Sequence, residues 1–333
     1  MKKLMTGFAA LALMAGAGCA DARQQKEGAT TPQDSVPTVY FTKEITPESL
    51  LAIYRALGVE PTGNVAIKIS TGESEATGYL RPAFIKPLVD ATEGTIVECN
   101  TAYPGTRNTT EKHLRAIAER GFTDIAKVDI MDADGDMEIP VADTTHIKYD
   151  IVGRHLADYD FMINLAHFKG HAMGGFGGVL KNASIGVASS RGKTYIHSAG
   201  ESDSDWGHPE QDHFLESMAA AAQAVHDYMQ SKSTACEPRV VYINVMNNLS
   251  VDCDCDAHPH APEMKDLGIA ASLDPVALDR ACLDMVFAHK PAPGDDPAAL
   301  VARINRQHGT HIVDHAAAIG LGSLKYTLVP LDK

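Results

Sequence analysis

Positive charge is in short supply: 29 Lys and Arg stand against 43 Asp and Glu in 333 residues, a formal net charge of −14. So acidic a chain lacks the cationic face that nucleic acid or an anionic membrane surface requires, and neither is expected as a partner. Aromatic residues make up 6% with a single Trp, and the cysteines number six. No apolar run reaches the ~20 residues of a membrane-spanning helix. Internal repeats and a Walker-type or dinucleotide-type glycine fingerprint are also missing, and no Gly-x-Ser-x-Gly elbow appears.

The longest apolar stretch, Leu4 to Ala17, follows Met1-Lys2-Lys3 and leads into Gly18-Cys19-Ala20. Charged, apolar and small residues in that order make a secretory signal peptide. Cys19 stands where a bacterial lipoprotein carries its lipidated cysteine, although Gly16 occupies a position where Leu is usual. The expected organisation is a lipoprotein-type signal peptide over 1–18, a flexible tether over 19–37 and a single α/β domain over 38–333. The expected location is the cell envelope, lipid-anchored or periplasmic, with the membrane touched through the anchor only. Buried acyl methylenes, at ~0.8 kcal/mol each, would make such an anchor effectively permanent.

Beyond the leader, about 300 residues suffice for a substantial core, so size gives no reason for covalent staples. Cys99, Cys236, Cys253, Cys255 and Cys282 remain, an odd number in an oxidising compartment. Cys253 and Cys255, one residue apart, lack the spacing of a disulfide framework. Cys99 and Cys282 read as buried structural residues in a strand and a helix.

The pattern alternates β-branched runs with amphipathic stretches. Strands are predicted at Val39–Thr42, Val65–Ser70, Thr95–Glu98, Ile125–Asp129, Phe161–Leu165, Val240–Val245 and Tyr326–Val329. Helices are predicted behind caps at Thr46 and Asp274, near Ala83–Ala91, and over Thr109–Arg120, Pro209–Gln230 and Pro297–Gln307. This rhythm predicts an α/β fold with a mixed, largely parallel sheet and flanking helices.

Function should then sit in the irregular stretches at strand ends. One reads His167-Phe-Lys169-Gly-His171-Ala-Met-Gly174-Gly175-Phe-Gly177-Gly178-Val-Leu-Lys181-Asn182. Its glycines predict a loop whose backbone amides can approach an anion or cofactor. A second reads Asp252-Cys253-Asp254-Cys255-Asp256-Ala-His258-Pro-His260. Thiolates, carboxylates and imidazoles together are what a transition ion selects, and two cysteines in x-alternation face one side of an extended chain. Asp132, Asp134, Asp136 and Asp143 around Gly135 hint at a calcium loop, but the glycine is misplaced for one and an acidic turn is the better reading.

These segments carry a resemblance. The chain is similar to the Domain of Unknown Function 362 family through Ala66-Ile-Lys68, Thr71-Gly72-Glu73, Thr101 to Asn108, His167 to Asn182, Cys253-Asp-Cys255, Gly268 to Asp279 and Ile319-Gly-Leu-Gly322. Many members carry a ferredoxin module. Here the stretch Ser198–His208, where its cysteines would fall, has none, so no 4Fe-4S cluster is expected. A shorter likeness joins His171, Lys181 and His197 to the cofactor loop of nickel-pincer lactate racemases. It implies a Lys holding a cofactor, a last His on nickel and a first His as acid or base.

The resulting expectation is an exported protein that binds a transition-metal ion (zinc, iron or nickel) and a small anionic ligand or substrate. Its metal ligands would be His171, His197, Cys253 and Cys255. Lys181 and His171 would carry any chemistry, and Lys68, Arg107, Lys169 and Asn182 would hold the anion, Arg107 as a bidentate clamp. The alternatives are a lipoprotein that holds a ligand without reaction, and racemase-like chemistry.

Overall fold

A computed structural model describes residues 36–332; the leader, Cys19 and nearly all of the tether lie outside the described residues. The strands are β1 (Thr38–Thr42), β2 (Val65–Lys68), β3 (Thr95–Glu98), β4 (Val128–Ile130), β5 (Asp136–Pro140), β6 (Tyr149–Gly153), β7 (Phe161–His167), β8 (Lys169–His171), β9 (Gly175–Gly177), β10 (Val240–Met246), β11 (Gly268–Ser272) and β12 (Thr327–Pro330). Eight of them form one sheet in the order β12-β1-β11-β10-β7-β2-β3-β4. Neighbours pair parallel throughout except at β11, which runs antiparallel to both β1 and β10. The α/β class and the mixed, largely parallel sheet are therefore as predicted.

β7 and β10 are buried along their whole length, as strands covered on both faces must be. Period-two alternation divides their side chains. Ile163, Leu165, Val241, Ile243 and Val245 join the core beneath the Pro47–Ala56 and Pro82–Thr92 helices. Met162, Ala166, Val240, Tyr242 and Met246 face the opposite core, against the Gln211–Gln230 and Pro275–Ala288 helices. Two polar residues interrupt that second face, Asn164 and Asn244, both fully buried. Their partners explain them below.

The caps at Thr46, Thr109 and Asp274 each accept a backbone N–H of the first helical turn. Three helices were not legible in advance: Val179–Ala183, Ser190–His197 and His311–Ala318. The hairpins β5–β6 and β8–β9 and the strand β11 were also missed. β8 reads Lys-Gly-His, β9 Gly-Phe-Gly and β11 Gly-Ile-Ala-Ala-Ser, with one β-branched residue among them, so none carries a β-branched signature. The four carboxylates of the suspected calcium loop diverge. Asp132 caps Asn100 and Ser190, Asp134 bonds His155, Asp136 meets Arg191, and Asp143 bonds Thr145 and His315. No helix among the described residues is long and apolar enough to cross a membrane.

Candidate functional site

From β2 the chain steps outward to β3 and β4, then returns to lay β7 on the other side of β2. Connections leaving two adjacent parallel strands in opposite directions open a crevice at their carboxyl ends. A cavity of about 500 Å³ lies there, and its wall includes every residue singled out from the sequence: Lys68, Arg107, Lys169, His171, Lys181, Asn182, His197, Cys253 and Cys255.

Lys181 is delivered by the short Val179–Ala183 helix, which is too short to hold itself. Buried partners fix it. The Asp279 carboxylate accepts the Val179 and Leu180 N–H groups, each at 3.0 Å, and also Asn244 Nδ2 at 2.7 Å. Asn164 donates to the Val179 carbonyl, and Asn182 donates to Asn164 at 2.7 Å. The polar residues within the central strands thus position the lysine helix. Gly178 completes the seat, because a Cβ there would collide with the Asp279 carboxylate.

The glycine-rich stretch is not the open loop expected, although its Gly177 and Gly178 line the cavity. It is a hairpin, β8 paired with β9, in which Lys169 faces Gly177 and His171 faces Gly175. Its Gly174 N–H is given to His171 Nδ1 rather than to the cavity. The glycines serve close packing and a turn with Gly175 at φ 79°.

Two of the expected anion binders are already committed. Arg107 is clamped by Glu73 at 3.0 Å and Glu98 at 3.2 Å and also donates to the Tyr103 hydroxyl. Burial, opposed by Arg107 and His113, would raise the Glu98 carboxyl, but those partners hold it far below the usual range. Lys169 pairs with Asp254 at 3.0 Å, and His167 takes the other oxygen at 2.8 Å. Both cations are corrected to structural roles: a buried cation already paired has little left for a ligand, and breaking such a pair is costly.

Three other ammonium groups differ. Lys68 donates to the Ile69 carbonyl and to Asn182 Oδ1, and Lys193 donates to the Ala188 carbonyl. Lys181 makes no hydrogen bond to any described residue. None of the three has a carboxylate within ion-pair distance among the described residues. Burial, opposed by the Glu98 carboxylate at longer range and reinforced by Lys193 and Arg107, brings Lys68 down to about 8. Burial, followed by Lys68 and Arg107, brings Lys181 to about 8 as well.

The two histidines are held in opposite tautomers. His171 Nδ1 accepts the Gly174 N–H at 2.8 Å and the Met173 N–H at 3.3 Å, so its ring proton resides on Nε2. His197 Nδ1 faces the Lys193 carbonyl at 2.7 Å and must donate, which leaves a bare lone pair on Nε2. Its ring is packed between Trp206 and Phe214. Burial keeps both rings neutral: His197 falls to about 4, and His171 lies well below its usual value with help from Lys181. One imidazole therefore offers a proton-bearing nitrogen and the other a lone pair.

Cys253 and Cys255 are joined in a disulfide. This overturns the expectation of two free thiolates, and the physical reason is proximity: the intervening residue, Asp254, is pinned by His167 and Lys169, and the tight turn brings both sulfurs together. Donor atoms of His171, Cys253 and Cys255 do lie within 4.8 Å of one another. Yet the paired sulfurs carry no thiolate charge, and His171 spends its Nδ1 lone pair on backbone N–H groups, so this donor set does not fit a metal in the form described. His197 stands outside that group. Its tautomer, with the far nitrogen on a carbonyl, is the one expected of a ligating imidazole.

Lys193, Glu98, Asp254 and Trp206 also line the cavity without having been singled out as site residues. Asp254 lay in a loaded segment, but nothing in a single sequence showed that Lys193 or Trp206 would turn inward.

No curated protein matches the chain in sequence. Among solved structures, it is similar to the lactate racemase apoprotein from Thermoanaerobacterium thermosaccharolyticum, at 13% identity and a TM-score of 0.44, with 78% of this chain and 59% of that one covered. A protein from Thermotoga maritima matches at 12% identity and a TM-score of 0.43, with 73% and 58% covered. The chain thus spans less than two thirds of either relative. The sequence match to the family described as Domain of unknown function (DUF362) runs over residues 65–284, and the chain belongs to that family.

Proposed function

We propose that the cavity binds a small organic anion whose charge is met by Lys68, Lys181 and Lys193. The observation that carries this is the absence of a carboxylate partner for any of the three among the described residues, in a wall where Arg107 and Lys169 each have one. Burial lowers the pKa of Lys68 and Lys181, and a bound anion would favour their charged forms. His171 Nε2–H would donate to the same anion.

The experiment is thermal unfolding of the full chain with a panel of small anions, hydroxy acids, dicarboxylates and inorganic phosphate. An anion at 100 times its Kd stabilises a one-site protein by ~2.7 kcal/mol. Lys181→Ala should keep the ligand-free Tm, since removing an unpaired lysine opens no cavity and orphans no partner, and should lose the anion-induced rise. A panel without effect, or an unaltered response in Lys181→Ala, contradicts the proposal. The opposed tautomers of His171 and His197 favour proton transfer on the bound molecule, as in racemase-like chemistry, over mere holding. If a hydroxy acid is the stabilising ligand, exchange of its α-hydrogen with heavy water, abolished in His197→Gln, separates the two.

A further inference from the structure

A second group of chemically loaded residues lies apart from the cavity wall, where three segments distant in sequence meet. Glu216 comes from the Gln211–Gln230 helix, His311 and His315 from the His311–Ala318 helix, and Asp143 and His146 from the turn before β6. The Glu216 carboxylate lies between two imidazoles: Oε2 is 2.7 Å from His146 Nε2 and Oε1 is 2.8 Å from His311 Nε2. His315 Nδ1 is 3.9 Å from Oε1. One donor atom each from Glu216, His311 and His315 falls within a mutual distance of 4.8 Å.

We propose that Glu216, His311 and His315 bind a divalent transition-metal ion of the zinc type, with His146 as fourth donor. His311 and His315 are one helical turn apart, the spacing that places two imidazoles on the same side of a helix. The decisive feature is how His315 is oriented. Its Nε2 is 2.8 Å from Asp143 Oδ2, and the other oxygen of Asp143 is held by the Thr145 hydroxyl at 2.6 Å. Asp143 can only accept, so His315 carries its proton on Nε2 and turns the Nδ1 lone pair toward Glu216. A carboxylate behind a ligating imidazole is the usual outer partner of a metal site. Among the described residues, His146 and His311 each hydrogen-bond through Nε2 and not through Nδ1, so each can move its proton to Nδ1 and present Nε2 to the ion.

Four donors around zinc at ~2.05 Å lie about 3.3 Å apart in a tetrahedron, so the donor atoms of Glu216, His311 and His315, within 4.8 Å of one another, need to close by at most about 1.5 Å. Exposure of 15% for His146, 18% for His315 and 34% for His311 leaves an ion a route in. Imidazoles with one carboxylate select zinc, nickel or copper over calcium or magnesium.

The test is calorimetric titration of Zn²⁺ alone into the chelator-stripped, oxidised full chain. About one equivalent should bind, and Cys253→Ser with Cys255→Ser should bind the same amount. Asp143→Asn, which keeps the side-chain shape, should weaken binding 10- to 100-fold. His311→Ala and His315→Ala should each abolish the site while circular dichroism stays native. Cobalt bound in place of zinc should give ligand-field bands without a thiolate charge-transfer band. Binding that is lost with the cysteines, unchanged in His311→Ala and His315→Ala, or absent from the wild type overturns the proposal.

Discussion

Asp150 is fully buried in β6, with neither carboxylate oxygen hydrogen-bonded to any described residue. Burial pushes its carboxyl up to about 7, against smaller opposing pulls from the adjacent Ile151 N–H and then from Lys193. The folded pKa thus lies above the unfolded one, and the sign follows: this group costs nothing below about pH 4, and its penalty grows as pH rises through 7. From an unfolded value near 3.9, the loss at pH 8 is on the order of 4 kcal/mol at ~1.4 kcal/mol per unit. Asp150→Asn has the same shape and no proton to lose. Urea unfolding at pH 5 and pH 8 should show a marked drop in stability for the wild type and a much smaller one for the variant. Parallel pH dependence in the two would show that Asp150 does not titrate in this range.

At the scale of elements, the short Val179–Ala183 helix is the hinge of the site, because it sets where Lys181 stands. Its seat tolerates no side chain at position 178. Gly178→Ala forces the Asp279 carboxylate off the Val179 and Leu180 N–H groups, and overpacking of this kind costs ~1–3 kcal/mol. We therefore expect a lowered Tm together with lost anion stabilisation, in contrast to Lys181→Ala, where only the second should change. An unchanged Tm in Gly178→Ala would mean that the helix is held by something other than Asp279. Elements with strong local signals were legible in the sequence: Asp274-Pro275 opened its helix as expected, and the apolar runs of β7 and β10 became central strands. The hairpin β8–β9 was not, because its pairing is imposed by neighbours. Gly170 packs against the Val251 backbone, a contact no local pattern encodes. Candidate site residues were legible as chemistry but not as geometry. Arg107 and Lys169 have the charge to hold an anion, and only the fold reveals the carboxylates that already occupy them. The Cys253–Cys255 bond was likewise hidden, since two cysteines in a loaded loop read equally as metal ligands, and the pinning of Asp254 decides their state.

For the whole molecule, a sheet whose strand order reverses between β2 and β7 explains why residues far apart in sequence, from Lys68 to Cys255, share one cavity. It also reconciles a net charge of −14 with an anion site. The acidic residues near the cavity are largely tied up, Glu73 and Glu98 with Arg107, Asp254 with Lys169 and His167, and Asp252 with Arg303 and His260. The ammonium groups of Lys68, Lys181 and Lys193 are left to set the local sign. Because Lys68 and Lys181 titrate at about 8, the site's attraction for an anion should depend on pH where that of an ordinary lysine would not. The most direct measurement is calorimetric titration of the stabilising anion at pH 7 and pH 10, with near-ultraviolet circular dichroism showing that the fold persists at both. Loss of one ammonium charge over the two units above 8 weakens binding by about 100-fold if only the protonated form binds. A loss of at least that order is expected in the wild type; an affinity equal at both pH values would contradict an anion site built on these lysines.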